Sequence, residues 1–157
     1  MVLRTSSAWP SAVTVGQTWA KIRIDQIFNF SFQLIGSQTR EIFDADICYV
    51  ALLDPQTNLI HFPYQIGETF TTLNIGEGHT GRIIQIGEPL LLNQNVDERS
   101  KELGVRRIGK NALSYLGVPI KAGGETIGMI SVQSTKQEGH FNEYSLRLLT
   151  TIAANAG

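Results

Sequence analysis

The chain has 157 residues, of which 42% are hydrophobic and 17% are charged, and its formal net charge is −1. This length suits one domain that folds without a metal or a disulfide, and the nearly balanced charge excludes a protein that coats nucleic acid with a broad basic surface. Cys48 is the one cysteine, and the chain has three histidines. We therefore expect no internal disulfide and no metal site of the usual zinc spacing.

The N-terminal part of the sequence shows no targeting or membrane segment. No run approaches the roughly 18 consecutive apolar residues that span a membrane, and residues 1–17 lack the apolar core of a signal peptide. We expect a cytoplasmic domain without membrane insertion. Residues 1–21 are predicted to be a leader or linker arm, and residues 22–157 the folded domain.

The first predicted element is a helix over residues 22–43, because its apolar side chains recur at spacings of three and four. Its expected core stripe consists of Ile24, Ile27, Phe28, Leu34, Ile35, Ile42 and Phe43. Short apolar or alternating runs bounded by turn residues then predict strands. These strands cover residues 47–53, 59–66, 71–75, 90–92, 113–121 and 126–134.

Two further helices are predicted between and after these strands. A glycine-rich turn opens a short helix that ends before Gly87, and Asn142 is the expected N-cap of a last helix. Residues 93–110 are polar and read as a loop with one helical turn near residues 98–103.

The predicted order defines an α+β fold. Most strands are joined by tight turns and should pair antiparallel. The N- and C-terminal helices should pack on one face of this sheet. The short helix and the long loop should cover a ligand pocket on the other face.

Two glycine-containing motifs resemble nucleotide-binding loops only in their letters. Residues 76–81 match the spacing Gly-x-Gly-x-x-Gly, but they lie among hairpins instead of after the first strand of a parallel fold. Residues 104–111 resemble a phosphate-binding loop, but Asn111 stands where a magnesium-binding Ser or Thr is needed. We interpret both segments as turns and loops.

No catalytic set emerges from the sequence, since neither a nucleophile elbow nor a zinc-protease motif is present. A cluster of five basic residues has two possible readings. It is either a solvated loop face or a cationic rim that attracts an anionic ligand. The cluster consists of Arg99, Lys101, Arg106, Arg107 and Lys110.

The layout resembles a GAF domain, of the kind found in bacterial sensor histidine kinases and related signalling proteins. The resemblance covers roughly residues 22–157 and depends on the order of several short motifs. They are residues 48–54, 76–81, 87–89, 95–97, 114–120 and 128–134, followed by Phe141 and Leu148-Leu149.

The resemblance implies a cavity for an unidentified small molecule. Its expected lining is Tyr49, Phe62, His79, Thr80, Gly81, Asn95, Ala112, Ser114 and Ser131.

Differences from known GAF subfamilies reduce the number of possible ligands. The acidic pair of cyclic-nucleotide GAF domains is absent after Phe141, which argues against a cyclic nucleotide. Cys48 lies in the wrong place to attach a bilin covalently, and one cysteine cannot supply the several that methionine-sulfoxide reductases of this fold use. The ligand is therefore left open, with no metal expected.

The resemblance implies a non-catalytic regulatory sensor in a two-component or similar pathway, covalently linked to an output domain. We expect a homodimer through the terminal helices, because Phe30, Phe32 and Leu148 fall off the main apolar stripes and would be exposed in a monomer. The alternatives are a stand-alone small-molecule enzyme on the same fold and a purely structural dimerisation module without a ligand.

Overall fold

The computed structural model describes the backbone of residues 12–157 and the side chains of residues 27 and 29–157. Within these residues the chain forms four helices and six strands. In chain order they are α1 (Ala12–Phe43), β1 (Ile47–Asp54), β2 (Leu59–Ile66), β3 (Leu73–Asn74), α2 (Gly78–Ile86), β4 (Leu90–Leu92), α3 (Val96–Glu102), β5 (Ser114–Ala122), β6 (Glu125–Ser134) and α4 (Glu143–Ala156).

The six strands form one sheet in the order β3-β2-β1-β6-β5-β4, and every neighbouring pair is antiparallel. In the central register Tyr49 lies opposite Ser131, and Ser131 lies opposite Gly117. Because side chains alternate across a strand, each face of the sheet carries its own core. The α+β class and the antiparallel sheet predicted from the sequence are confirmed.

The outer face of the sheet is covered by α4 and by the C-terminal part of α1. The buried core of this face consists of Phe32, Phe43, Ala45, Cys48, Val50, Leu116, Val118, Ile120, Ile130, Val132, Phe141, Leu149 and Ala153. Helix α4 begins with a capping box: the Asn142 side chain accepts from Ser145 N–H at 2.9 Å, and Ser145 Oγ accepts from Asn142 N–H at 3.1 Å. The N-cap predicted at Asn142 is confirmed.

The face that α1 presents to the sheet differs from the predicted stripe. Phe32 is 2% exposed and belongs to the domain's own core, so its expected exposure was wrong. Leu34 and Ile42, expected inside, are 47% and 58% exposed. Helix α1 also begins earlier than expected, at Ala12. Residues 1–11 of the predicted arm, and the side chains of Ile24 and Phe28, lie outside the described residues.

A close approach of helix to strand explains the rotation of α1. A Cβ added at Gly36 would lie 2.2 Å from Tyr64 Cδ1, so only glycine lets the Tyr64 ring pack against the helix backbone. Gly36 and the buried Thr39 therefore lie on the inner side of α1. A pattern based on hydrophobicity cannot detect this face, because two of its members are not large apolar residues.

His140 joins the end of α1 to the segment before α4. Its Nε2 lies 3.0 Å from the carbonyl oxygens of Phe43 and Asp44, and its Nδ1 lies 2.6 Å from Gln137 Nε2. The His140 backbone N–H donates to Ser114 Oγ at 3.1 Å, and that hydroxyl donates to Gln137 O at 2.9 Å. Three parts of the chain thus meet at this one residue.

The inner face of the sheet is covered by α2, α3 and the segment that leads to β5. Its buried core consists of Ile47, Tyr49, Ala51, Ile60, Ile83, Ile84, Leu92, Val96, Tyr115 and Met129. Helix α2 ends at Gly87, whose φ of 75° is left-handed and whose N–H donates to Ile83 O. The predicted helical turn near residues 98–103 is the short helix α3, which follows Asn95 at φ 50°.

Among the described residues, none of the helices combines the length and the apolar character needed to cross a membrane.

Candidate functional site

A small cavity lies between the inner face of the sheet and its cover. It measures about 20 Å³, which is space for about one water molecule. Its walls are Tyr49, Phe70, Leu73, Gly78, His79, Thr80, Val96, Arg107, Ile108, Lys110, Ala112, Tyr115 and Gln133. The predicted location between sheet and cover thus holds a cavity, but side chains of the protein fill most of it.

Two buried tyrosines form the polar layer beneath α2. Tyr49 and Thr80 share a hydrogen bond of 2.8 Å between their hydroxyl oxygens. The Tyr115 hydroxyl is also buried and lies near those of Tyr49 and Ser131, but no described group partners it at hydrogen-bonding geometry. Burial raises the pKa of both phenols, although the Thr80 hydrogen bond opposes this for Tyr49. Both hydroxyls are therefore neutral donors near neutral pH.

His79 links the start of α2 to α3. Its Nε2 lies 2.7 Å from Ser100 Oγ, and that hydroxyl donates to Val96 O at 2.6 Å. The Ser100 oxygen must therefore accept from His79 Nε2–H, which assigns the tautomer. Burial, helped by the charge of Arg82, lowers the pKa of His79 to about 4. The imidazole is thus a neutral wall residue, and its ring packs 4.7 Å from that of Tyr115.

An aromatic cluster, two members of which line the cavity, lies on the inner face of the sheet. The ring centroids of Phe62 and Phe70 are 4.9 Å apart in a stacked arrangement. Tyr49 meets both rings edge-on, at 5.5 Å and 5.3 Å. These contacts offer an apolar surface to a ligand and also hold Tyr49 in place.

Two cationic side chains also line the cavity. Arg107 and Lys110 line it, whereas Arg99, Lys101 and Arg106 of the same basic cluster do not. Arg107 Nε lies 3.4 Å from Asp97 Oδ1. Gly78, His79 and Thr80 at the start of α2 line the same cavity, and their backbone N–H groups precede the first helical hydrogen bond, from Gly81 N–H to Glu77 O. These cationic and N–H groups therefore favour an anionic or carbonyl group in the cavity.

The structure brings Tyr49, His79, Thr80 and Ala112 of the predicted site together around the cavity. Three more predicted residues lie next to it without lining it. Phe62 packs behind Tyr49, and Ser131 is fully buried on the strand beside it. Gly81 lies inside α2, where a Cβ would come within 2.6 Å of Gly76 N.

Two predicted site residues lie elsewhere. Ser114 is on the outer side of β5, where its hydroxyl bonds Gln137 and His140, because its neighbour Tyr115 takes the inner side. Asn95 lines a separate surface groove of about 240 Å³ beside α3. The placement of these two side chains in the cavity was therefore wrong. The ligand-binding role of the other residues stays a prediction.

Sequence reasoning missed Phe70, Tyr115 and Gln133 as wall residues. Strand alternation is the signal that could have found two of them, because Gln133 follows Ser131 by two residues and Tyr115 is its cross-strand partner. Phe70 lies in the connection between β2 and β3, whose path no sequence pattern indicates.

Catalytic groups are sparse in the part of the chain that the structure describes. Among these residues, no three or more His, Cys, Asp or Glu side chains are grouped to hold a metal ion. The Cys48 thiol belongs to the outer core, and burial raises its pKa to about 12. The thiol donates to Gly36 O at 3.5 Å. Because it is buried and stays protonated, it is a poor nucleophile.

One antiparallel sheet with helices on both faces and a covered cavity defines an α+β domain. Residues 32–157 match the sequence profile of the GAF domain. The chain belongs to the GAF domain family, whose members are regulatory sensor modules of signalling proteins.

Relatives and solved structures agree with this assignment. Over 84 residues the chain is 33% identical to the Nif-specific regulatory proteins of Azospirillum lipoferum and Azospirillum brasilense, an overlap of 50% of this chain and 13% of those proteins. The GAF domain of an Acinetobacter phosphoenolpyruvate-protein phosphotransferase superposes with a TM-score of 0.71 at 24% identity, over 82% of this chain and 79% of that one. A type II free methionine-R-sulfoxide reductase from Thermoplasma acidophilum superposes with a TM-score of 0.72 at 18% identity, over 83% of this chain and 90% of that one. The fold therefore occurs in both regulators and enzymes.

Proposed function

We propose that this chain is a non-catalytic, cytoplasmic sensor domain of a larger bacterial signal-transduction protein, such as a histidine kinase or a related regulator. It binds a small molecule beneath α2 and α3 and relays the signal through a homodimeric helical interface to a covalently linked output domain. Its match to regulators over 13% of their length supports a domain within a longer protein.

The observation that carries this proposal is the polar lining of the inner cavity. Burying polar groups costs free energy unless they find hydrogen-bond partners, so a polar lining suits a ligand that carries polar groups. Tyr115, Gln133 and the neutral His79 form this lining. We infer that these groups contact a ligand.

The charge and shape of the cavity define the ligand class. An anionic or carbonyl-bearing end would lie at the start of α2, near Arg107 and Lys110. An apolar or aromatic body would contact Tyr49 and Phe70. We therefore propose a small carboxylate-bearing metabolite.

The reactivity of Cys48 argues against the enzyme alternative. Thiol-dependent reduction needs a thiolate, whereas this thiol is buried and its pKa is about 12. The terminal helices favour a role as a relay, since Leu34 and Ile42 of α1 leave apolar surface for a second copy.

The test is thermal stabilisation of the chain by a panel of small carboxylates, each compared with its uncharged amide. A true ligand should raise the melting temperature, and Arg107→Ala should abolish that rise. Arg106→Ala is the matched control, because Arg106 lies in the same segment but does not line the cavity. No shift with any carboxylate, or equal shifts in both variants, would argue against this site.

A further inference from the structure

We propose that residues 96–112, called the lid here, open as a unit and that Lys110 is the latch that holds them closed. The proposal rests on the proposed function, because it takes the inner cavity as the ligand site. It adds how a ligand gains access and what its binding displaces.

The need for opening follows from size. The closed cavity of about 20 Å³ admits little more than one water molecule, whereas the surface groove beside it measures about 240 Å³. Val96 and Ala112 line both spaces, so these two lid residues are the wall between them. Their displacement would join cavity and groove into one chamber of ligand size.

The lid has definite ends. It begins after Asn95, whose φ of 50° is left-handed, and it ends where Leu113 N–H donates to Ser134 O and the chain enters the sheet. Between these points the Arg107–Asp97 ion pair joins α3 to the segment after it. The backbone hydrogen bond from Val105 N–H to Ser100 O adds a second connection within the lid.

The latch lies at the far end of the lid. The Lys110 ammonium group donates to Gly67 O, and its backbone N–H donates to the Glu68 carboxylate. Both hydrogen bonds are exposed, so they can break without disturbing the core. Among the described residues, the His79–Ser100 hydrogen bond also joins the lid to the body, and Val96 of the lid packs in the inner core.

Lys110 also lines the cavity while it holds Gly67. An anionic group inside the cavity would compete for the same ammonium. Ligand binding and closure of the latch would therefore oppose each other, and the β2–β3 connection would be released when the site fills.

Cysteine labelling tests the lid without any ligand. Thr80 lines the cavity and is 3% exposed, so Thr80→Cys places a thiol beneath the lid. Methyl methanethiosulfonate is the probe, with mass spectrometry of peptides as the readout. The native Cys48 is buried in the outer core and reports global unfolding in the same sample.

The latch is tested by adding Lys110→Ala to this variant, with Arg106→Ala as the matched loss of charge. We expect labelling at position 80 to be about tenfold faster with Lys110→Ala than with Arg106→Ala, while Cys48 stays unlabelled. Equal rates in the two variants would overturn the latch. Labelling of position 80 only in step with Cys48 would overturn the lid.

A cross-link provides a second measurement should Thr80→Cys perturb the fold. A Cβ built on Gly78 lies 3.7 Å from Ile108 Cβ, a separation that suits a disulfide. In Gly78→Cys/Ile108→Cys, oxidation should slow amide hydrogen exchange across residues 96–112. Both redox forms carry the same strain at position 78, so their difference reports the lid alone; unchanged exchange would contradict opening as a unit.

Neither experiment uses a metabolite. If the labelling and exchange results contradict the lid, thermal stabilisation by a carboxylate still tests the sensor proposal. If no carboxylate stabilises the protein, lid opening can still be measured.

Discussion

The hydroxyl oxygens of Tyr49 and Thr80 lie 2.8 Å apart, and this hydrogen bond joins the central strand β1 to the first turn of α2. Tyr115 brings a second phenol to the same buried layer without a partner. The hydroxyls of the two tyrosines therefore differ in whether they have this hydrogen bond.

Removing the two hydroxyls should have opposite effects on stability. Tyr49→Phe leaves the Thr80 hydroxyl without its partner and should lower the free energy of unfolding by about 1–2 kcal/mol. Tyr115→Phe removes a buried, unpartnered hydroxyl and should leave this free energy unchanged or raise it by about 1 kcal/mol. Urea denaturation followed by circular dichroism measures both. A larger loss for Tyr115→Phe than for Tyr49→Phe would show that Tyr115 has a partner in solution.

Gly36→Ala should destabilise the domain although alanine favours helices. The new methyl group would lie 2.2 Å from the Tyr64 ring, and displacing that ring should cost about 2 kcal/mol. The neighbouring Ser37→Ala is an exposed control and should change stability by less than about 0.5 kcal/mol. In a double-mutant cycle with Tyr64→Ala, the Gly36→Ala cost should largely disappear. Strict additivity of the two substitutions would disprove the contact.

Acidification should weaken the fold through His79. The folded pKa of about 4 lies below the ordinary value of 6.5, so between these pH values the unfolded chain binds a proton that the folded chain does not. Stability is therefore lost as the pH falls through this window, by on the order of 2–3 kcal/mol. Urea titrations at successive pH values measure the slope.

His79→Gln should flatten that slope, whereas His61→Gln, which changes an exposed residue of β2, should leave it as in the wild type. The same slope in all three proteins would assign the acid sensitivity to other groups.

Leu34→Glu should weaken self-association. Leu34 is 47% exposed on α1, and a charge there would oppose burial against a second copy. Sedimentation velocity at high micromolar concentration should give a dimer for the wild type and for Gln33→Glu, an exposed control on a different side of α1. It should give mostly monomer for Leu34→Glu, whose charge enters the face that Leu34 shares with Ile42. A monomeric wild type would refute the homodimer.

The strands and the start of α4 were predictable because their signals are local. Residues 47–53 form a short apolar run that ends before Asp54-Pro55, and turn residues bound most other strands. The capping box needs only Asn142 and Ser145, three residues apart. The order of these elements was enough to predict a sheet with the terminal helices on one face.

The face of α1 and the size of the cavity were not predictable in this way. The orientation of α1 depends on Gly36 meeting Tyr64, 28 positions later in the chain, and hydrophobic periodicity treats glycine as a gap. The cavity volume depends on how Tyr49, Phe70 and Tyr115 fill the space beneath the cover. Strand alternation predicts which face of the sheet each side chain lies on, but it does not predict how the aromatic rings pack there.

The hydrogen bonds of His140 have a mechanical consequence. Its ring holds the carbonyl end of α1, and its backbone stands two residues before the cap of α4. His140 therefore connects the end of α1 to the start of α4 directly, besides the packing that both helices share on the sheet. A displacement of either helix end would strain these hydrogen bonds.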